Sequence, residues 1–372
     1  MFPLLLLLLA AYAALHVLFY YAVRDAFAPP GWLRHVLRLL LGVLFLTPFF
    51  TRALDRSEHE DLALLLGVPG YFWMCGLLWF TLLWLLLWPL RAFAGRYPAL
   101  VTYVSARRIF LTCLLAVSAL GVMGWREAHQ LRIEEVRVAC PRLPPGRAAL
   151  RIAVVSDLHL DLHRNHRLLA QLTAEIRRLQ PDLIVSAGDL IDSPHCLADA
   201  AQFAGCRAPL GQFAVLGNHE YYVGLRTALR FHEAAGLTLL RQRAVELAPG
   251  LWLAGVDHRS GHHFGAPCFD DDHAALALAP TNACVLLLKH EPRFTGPLTA
   301  DLVVSGHTHA GQIFPFHLVV RATYRHLAGL HRLDDRTQLY ITRGVGTWGP
   351  PFRLGAPPEL TLLVLARGQP ER

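Results

Sequence analysis

Residues 151–160 read RIAVVSDLHL. The run at 152–155 is short, apolar and rich in β-branched residues, the composition of a strand covered on both faces. It leads into Asp157 and His159, and alternation along an extended chain aims both side chains the same way. A carboxylate and an imidazole at the mouth of an apolar strand are unfavourable without a partner, and a bound cation is the simplest one. The pattern repeats downstream. Apolar runs at 183–186, 213–216, 252–256, 284–288 and 302–305 lead into GDLID, GNHE, Asp257 with His258, KHEP and GHTHAGQ. Late runs at 339–342 and 360–365 add two more strands. Asn165 reads as the N-cap of a helix with Leu168, Leu169, Leu172 and Ile176 on one face, stopped by Pro181. Alternating strands and helices predict a layered α/β domain with its site at the carboxyl ends of the strands.

Outward from this stretch the composition changes. The 372-residue chain is 54% hydrophobic and 17% charged, against about 25% charged in soluble domains. The imbalance sits in residues 1–125, where apolar blocks at 1–23, 32–50, 62–90 and 109–125 read as four membrane-spanning helices. The third is long enough to need tilt or a kink at Pro69. The first lacks a basic leader and a cleavage site, so it reads as retained. Residues 126–147, ending in PRLPPG, read as a polar linker, and 148–372 as the catalytic domain. Arg24, Arg34, Arg38, Arg91, Arg96, Arg107 and Arg108 lie on one side of the spans, against Arg52, Arg56, Arg126, Arg132 and Arg137 on the other. That bias places the C-terminal domain outside the cytoplasm, periplasmic or extracellular. No acid or polar cluster interrupts the spans, so an anchor is expected rather than a transport path.

The net charge of +7 is almost all arginine, and no basic stripe with interleaved aromatics suggests nucleic acid. The bilayer is the expected partner, and no obligate protein partner is implied. Seven cysteines show no CxxC spacing. Cys196 and Cys206 are either free buried thiols or a pair formed in an oxidising compartment.

Asp157, His159, Asp189, Asn218, His219, His290, His307 and His309 offer only oxygen and nitrogen donors. Such a set suits hydrolytic ions of the Mn, Fe or Zn type over a thiolate zinc site. It is too large for one ion; two ions about 3.5–4 Å apart, sharing a carboxylate, fit better. Gly188, Gly217 and Gly306 precede three of these residues and permit sharp turns and close approach. His163 and the loop 257–272 are candidate pocket-lining positions. Arg343, Arg353 and Lys289 are candidate phosphate clamps, or ordinary surface and fold-supporting residues. Glu220 and Glu291 read as groups that orient neighbouring ligands or support the turns.

The motifs DLHL, GDLID, GNHE, KHEP and GHTHAGQ, in that order, resemble the calcineurin-like metallophosphoesterases. With the tail RGVGTWGPPFRLGAPPEL they are similar to the membrane-associated bacterial branch that includes cell-envelope phosphodiesterases and UDP-diacylglucosamine hydrolases. The likeness covers residues 148–365 and departs at Ala310, where that branch often has glycine. It implies a four-layer α/β sandwich behind an all-α region of four transmembrane helices, in a bacterial inner membrane. It implies that Asp157, His159, Asp189 and His309 hold one divalent ion. Asp189, Asn218, His290 and His307 would hold a second, with Asp189 bridging. Hydroxide between the ions would attack phosphorus in line, and His219, next to Asn218, would bind the phosphate and protonate the leaving oxygen. The function implied is a membrane-anchored dinuclear phosphoesterase acting on a phosphoester or pyrophosphate of a lipid-linked, nucleotide-linked or envelope substrate. UDP-diacylglucosamine pyrophosphate hydrolysis in lipid A synthesis is the nearest alternative. A metal-binding membrane sensor or scaffold without turnover is the alternative of another class.

Overall fold

The computed structural model describes residues 2–54, 60–97, 104–145, 149–161 and 165–368. The chain divides into one unit of Met1–Trp125 with Gly349–Pro351 and a second of Arg126–Trp348 with Phe352–Arg372.

The first unit is built from α1 (Phe2–Phe27), α2 (Gly31–Leu54), α3 (Glu60–Ala94) and α4 (Ala106–Ala128). Their apolar stretches, Leu6–Phe27, Gly31–Thr51, Leu65–Arg91 and Ala106–Ala128, run 22, 21, 27 and 23 residues. About 20 residues suffice to cross a bilayer, so among the described residues four helices are long and apolar enough to do so. Gly67 and Gly70 of α3 pack onto Thr51 and Thr47 of α2. A Cβ at either glycine would come within 2.7 or 2.6 Å of the threonine side chain. Small residues let helix backbones approach where lipid offers no hydrophobic drive to associate. Trp73 Nε1 donates to His16 Nε2 at 2.9 Å and ties α3 to α1.

The second unit holds β1 (Arg132–Ala139), β2 (Ala149–Val155), β3 (Leu183–Ser186), β4 (Gln212–Ala214), β5 (Thr238–Leu239), β6 (Arg243–Ala248), β7 (Leu251–Gly255), β8 (Cys284–Leu288), β9 (Leu302–Ser305), β10 (Gly329–Arg332), β11 (Gln338–Ile341) and β12 (Glu359–Ala366). They form two sheets of order β1-β12-β2-β3-β4-β5 and β10-β11-β9-β8-β7-β6. Strands β2, β3 and β4 run parallel, as do β7, β8 and β9, so their carboxyl ends share an edge within each sheet.

The layering follows from side-chain alternation. Ile152 and Val154 face the core between the sheets, with Leu286, Leu288, Leu302 and Val304. Ala153 and Val155 face the other way, onto Leu168, Leu169, Leu172 and Ile176 of α5 (His166–Leu179). On the outer face of the second sheet Val285, Leu287, Val303 and Ile341 meet Ala275 and Leu276 of a short helix. Helix, sheet, sheet and helix make four layers. Each buried Leu, Ile or Val contributes roughly 1.5–3 kcal/mol relative to exposure.

Three local expectations need correction. Residues 126–147 are not a linker, because β1 lies within them and pairs in parallel with β12 from Arg132↔Glu359 to Ala139↔Ala366. Asn165 stands at the N-terminus of α5 at φ 67 without capping it; its Nδ2 instead donates to the His159 carbonyl at 2.8 Å. Strand β4 ends at Ala214 rather than at 216. Cys196 and Cys206 are both buried and are not joined in a disulfide, and the sulfurs of Cys140 and Cys284 lie 3.1 Å apart.

Candidate metal centre

The candidate ligands follow strand ends: Asp157 and His159 after β2, Asp189 after β3, Asn218 and His219 after β4, His290 after β8, and His307 and His309 after β9. The backbone there is unusual. Asp157, His159, Asp189, His307 and His309 have φ of 53, 49, 55, 72 and 49°. Each such non-glycine residue is strained by about 1–3 kcal/mol, which persists only where the surroundings enforce it.

The side chains converge in two groups. His309 Nε2 lies 3.0 Å from His159 Nε2 and 3.3 Å from Asp157 Oδ1. His290 Nε2 lies 3.1 Å from Asp189 Oδ2 and 3.1 Å from His307 Nδ1. Asp189 Oδ2 is also 4.0 Å from His159 Nε2, so one oxygen stands between the groups. Asn218 Oδ1 is buried and has no hydrogen-bond partner among the described residues. A bound cation would satisfy such an orphaned buried acceptor.

The loops are fastened to one another through carboxylates. Glu220 accepts the backbone N–H groups of Asp189, Leu190 and Gly217 at 2.9, 2.7 and 2.8 Å. Asp189 Oδ1 accepts the N–H of His219 at 2.8 Å, leaving Oδ2 for the centre. Asp157 accepts the N–H of His307 at 3.0 and 3.1 Å. Of the three glycines, Gly188 needs its left-handed φ of 97°. Gly217 and Gly306 serve a different need: a Cβ there would collide with the carboxylates of Asp189 and Asp157.

Outer hydrogen bonds fix the imidazoles. His290 Nδ1 donates to the Ala187 carbonyl at 2.7 Å, which leaves Nε2 free to ligate. His159 Nδ1 is 2.8 Å from Asp192 Oδ1, and the same oxygen is 2.7 Å from His219 Nδ1. Sequence reasoning missed Asp192. Its only signal was the second acid of GDLID.

Burial alone would raise the carboxyl pKa of Asp157, Asp189 and Asp192. Facing imidazoles (His309 for Asp157, His290 and His219 for Asp189, His159 and His219 for Asp192) hold all three well below the ordinary range. Burial pushes His307 down to about 3, reinforced by charge on His290, and His309 down to about 4. Burial opposes charge on His290 and His219 too, but Asp189 carries the former up to about 10, and Asp192 with Asp189 the latter up to about 9. Ionised carboxylates and neutral imidazoles are the forms that ligate, and a cation would displace the proton from His290. The residues therefore fit two divalent ions bound by oxygen and nitrogen.

The other named residues bond mainly to the fold. Arg353 is 0% exposed, donating to the carbonyls of Gly346, Arg343 and Ala356 at 2.8, 3.0 and 2.8 Å, and its Nη2 also lies 3.3 Å from His309 Nδ1. Arg343 pairs with Glu359 at 2.9 Å and with Glu134, and Lys289 with Asp272. Of the two roles open to these three cations, their partners favour fold support over a phosphate clamp. His163 lies outside the described residues. Asp257 is taken by Arg241 at 2.8 Å, whereas the His258 ring comes within 5.6 and 5.5 Å of those of His290 and His307. Glu291 accepts from the Tyr324 hydroxyl at 2.9 Å and pairs with Arg259 at 3.0 Å, so it braces this side of the site.

Residues 150–311 match the family profile of the calcineurin-like phosphoesterases. The chain is 36% identical over 251 residues to an uncharacterized metallophosphoesterase of Aquifex aeolicus, a match spanning 66% of this chain and 96% of that one. It is 30% identical over 319 residues to an uncharacterized metallophosphoesterase of Campylobacter jejuni, spanning 84% and 83%. It is also 30% identical over 268 residues to a transmembrane protein with metallophosphoesterase domain of Danio rerio, spanning 68% and 61%.

Proposed function

This chain belongs to the calcineurin-like phosphoesterase family and carries a metal-dependent phosphoester hydrolase domain together with four helices long and apolar enough to cross a membrane; from that premise we propose that it is a membrane protein that cleaves a phosphoester or pyrophosphate bond of a lipid-linked or cell-envelope substrate. The observation that carries the reading is the convergence of Asp157, His159 and His309 with Asp189, His290 and His307. The first three would hold one divalent ion together with Asp189, and the last three a second together with Asn218. Mn, Fe or Zn ions suit the donor set; such ions, when bound, acidify water and offset charge on the phosphoryl oxygens.

The chain's own residues do the rest. Glu220 and the buried backbone bonds keep Asp189 between the two groups. Asp192 holds His219 by Nδ1, so Nε2 is the nitrogen left for a leaving oxygen. Asp192 and Asp189 together keep the ring protonated at neutral pH, which suits a general acid. His219 would thus protonate the departing oxygen, and Asn218 would hold ion and phosphate in register.

The substrate reading rests on the four spans. A hydrolase tethered to a bilayer meets lipid-borne phosphates at raised effective concentration. The arginine bias supports a domain on the periplasmic or external face of a bacterial inner membrane. The bilayer is then its partner, with neither nucleic acid nor an obligate protein required. The full chain, purified in detergent and given manganese, should cleave bis-p-nitrophenyl phosphate or the monoester, and Asp189→Asn should abolish it. Tight metal binding without turnover on any ester would refute the reading in favour of a sensor or scaffold. Cells lacking the protein should accumulate a phosphorylated lipid. A topology reporter after Arg372 should give an oxidising-side signal; a cytosolic one would favour UDP-diacylglucosamine hydrolysis instead.

A further inference from the structure

The surroundings of His219 are aromatic. Its ring centroid lies 4.8 Å from that of Tyr222 and 6.0 Å from that of Trp348, and Tyr222 is 5.6 Å from Phe264. Tyr222, Phe264 and Trp348 are 42, 54 and 55% exposed. A single exposed aromatic needs no explanation, but two beside one imidazole with a third against Tyr222 form a partly exposed apolar surface.

Two of the three are also held firmly. Tyr222 follows His219 by three residues on the helix Asn218–Val223, so both project from one face of a short rigid element. Trp348 is gripped through its backbone. Its N–H donates to Gln312 Oε1 at 3.0 Å, and Gln312 Nε2 donates to its carbonyl at 3.0 Å. Gln312 is itself 7% exposed and stands three residues after His309. A buried amide thus has both its oxygen and its nitrogen on the main chain of one exposed tryptophan. Burying that amide gains the indole no cover; it sets where the indole stands relative to the ligand loop and His219.

We propose that Tyr222, Phe264 and Trp348 form the leaving-group subsite, and that it accepts an apolar leaving group, an alkyl chain or a ring. This deepens the preceding section and rests on its assignment of His219. In hydrolysis a water oxygen forms the new bond to phosphorus and the bond from phosphorus to the leaving oxygen breaks. His219 gives that oxygen its proton, and a proton from the water restores the imidazolium. The leaving oxygen must therefore lie within about 2.6–3.2 Å of the imidazole. The atoms it carries then fall among rings whose centroids are 4.8–6.0 Å from that imidazole or from each other. Aromatic faces favour apolar surface and leave a hydrated polyol without partners.

The test uses the full chain in detergent with manganese and three esters of one class, whose leaving alcohols are octanol, benzyl alcohol and glycerol. Wild type should prefer octyl or benzyl over glyceryl by at least about tenfold in kcat/KM, the scale an apolar pocket supplies. Trp348→Ala and Phe264→Ala should each lower that ratio by about fivefold, mainly through KM, and Trp348→Phe should keep most of it. Calorimetric binding of octylphosphonate against methylphosphonate should show the same loss without turnover. A gain for octyl alone marks a chain subsite and for benzyl alone a ring subsite; either supports the proposal. No preference in wild type, or an unchanged preference in both alanine variants, overturns it. If Trp348→Ala fails to fold, Phe264→Ala on a separate loop decides. Silence on every ester sinks the phosphoesterase reading, whereas turnover without preference sinks the subsite alone.

Discussion

Asp192→Asn is the most informative single substitution, because one oxygen serves two histidines with different duties. Asp192 Oδ1 lies 2.8 Å from His159 Nδ1 and 2.7 Å from His219 Nδ1. Asparagine keeps the shape and removes the charge. The carboxylates raise His219 from an ordinary 6.5 to about 9, against its burial. If the variant returned it fully to 6.5, the protonated fraction at pH 8 would fall from about 0.9 to about 0.03, roughly thirtyfold. Asp189 still faces the ring, so the expected loss at pH 8 is about tenfold. The sign is fixed by the role: a general acid works below its pKa and fails as pH rises through it. Lowering the pKa moves the alkaline limb of kcat down by about one to two pH units and leaves acidic pH nearly unaffected. Bound cations depress His219 in both proteins, so the quantity to compare is the displacement between profiles. Separately, His159 loses the partner that fixes its tautomer, which weakens metal binding by about 10–100-fold. Rate profiles at saturating manganese isolate the first effect, and calorimetric metal titration the second. Superimposable alkaline limbs at saturating metal would refute the assignment of His219 and Asp192.

Other perturbations test the frame. Burial, with Asp189 nearby, raises Glu220 to about 7, so its two oxygens rather than a full charge make the clamp on the N–H groups of Asp189, Leu190 and Gly217. Glu220→Gln keeps one oxygen and turns an NH2 on the N–H groups the other served; buried unsatisfied donors cost about 1–3 kcal/mol each, so the melting temperature should fall by about 5–10 °C, at about 2–4 °C per kcal/mol; an unchanged melt sinks the clamp. Chelation should destabilise the hydrolase domain. Metal at one hundred times Kd contributes about 2.7 kcal/mol, so manganese should restore about 5–10 °C of melting temperature, and no response would contradict the metal centre. Arg353→Met leaves carbonyls of Gly346, Arg343 and Ala356 short of donors. It should lower the melting temperature by about 10 °C, since buried unsatisfied groups cost about 1–3 kcal/mol each. Because Arg353 also contacts His309 Nδ1, KM is compared at saturating manganese, where the folded fraction should keep it; a raised KM there with an unchanged melt would reinstate Arg353 as a phosphate clamp.

The strands that could be read from the sequence have a structural property in common. Strands β2, β3, β4, β7, β8, β9, β11 and β12 are inner strands, while the unread β1, β5, β6 and β10 are the edges of the two sheets. An inner strand covered on both faces must be almost wholly apolar, as LIVS, CVLLL and LVVS are, with every residue buried. An edge strand has a neighbour on one side only and tolerates charge. Thus RIEEVRVA reads as linker, although its backbone is paired with β12 along all eight residues.

The site divides along a similar line. Ligands that follow inner strands were legible because an acid or histidine at the end of an apolar run conflicts with its surroundings unless something compensates it. Asp192 carries no such conflict: it lies past the turn of GDLID and meets His159 and His219 only through contacts 33 and 27 residues away in sequence. Arg353 fails for the opposite reason. An arginine among glycines and prolines suggests an exposed cation awaiting an anion. The loop from 343 to 356 has few regular backbone bonds, however, so its carbonyls need donors, and a guanidinium offers five in a fixed fork. Folding the loop over Arg353 satisfies both at once, and it is that enclosed guanidinium that sets the course of the chain on either side of Trp348.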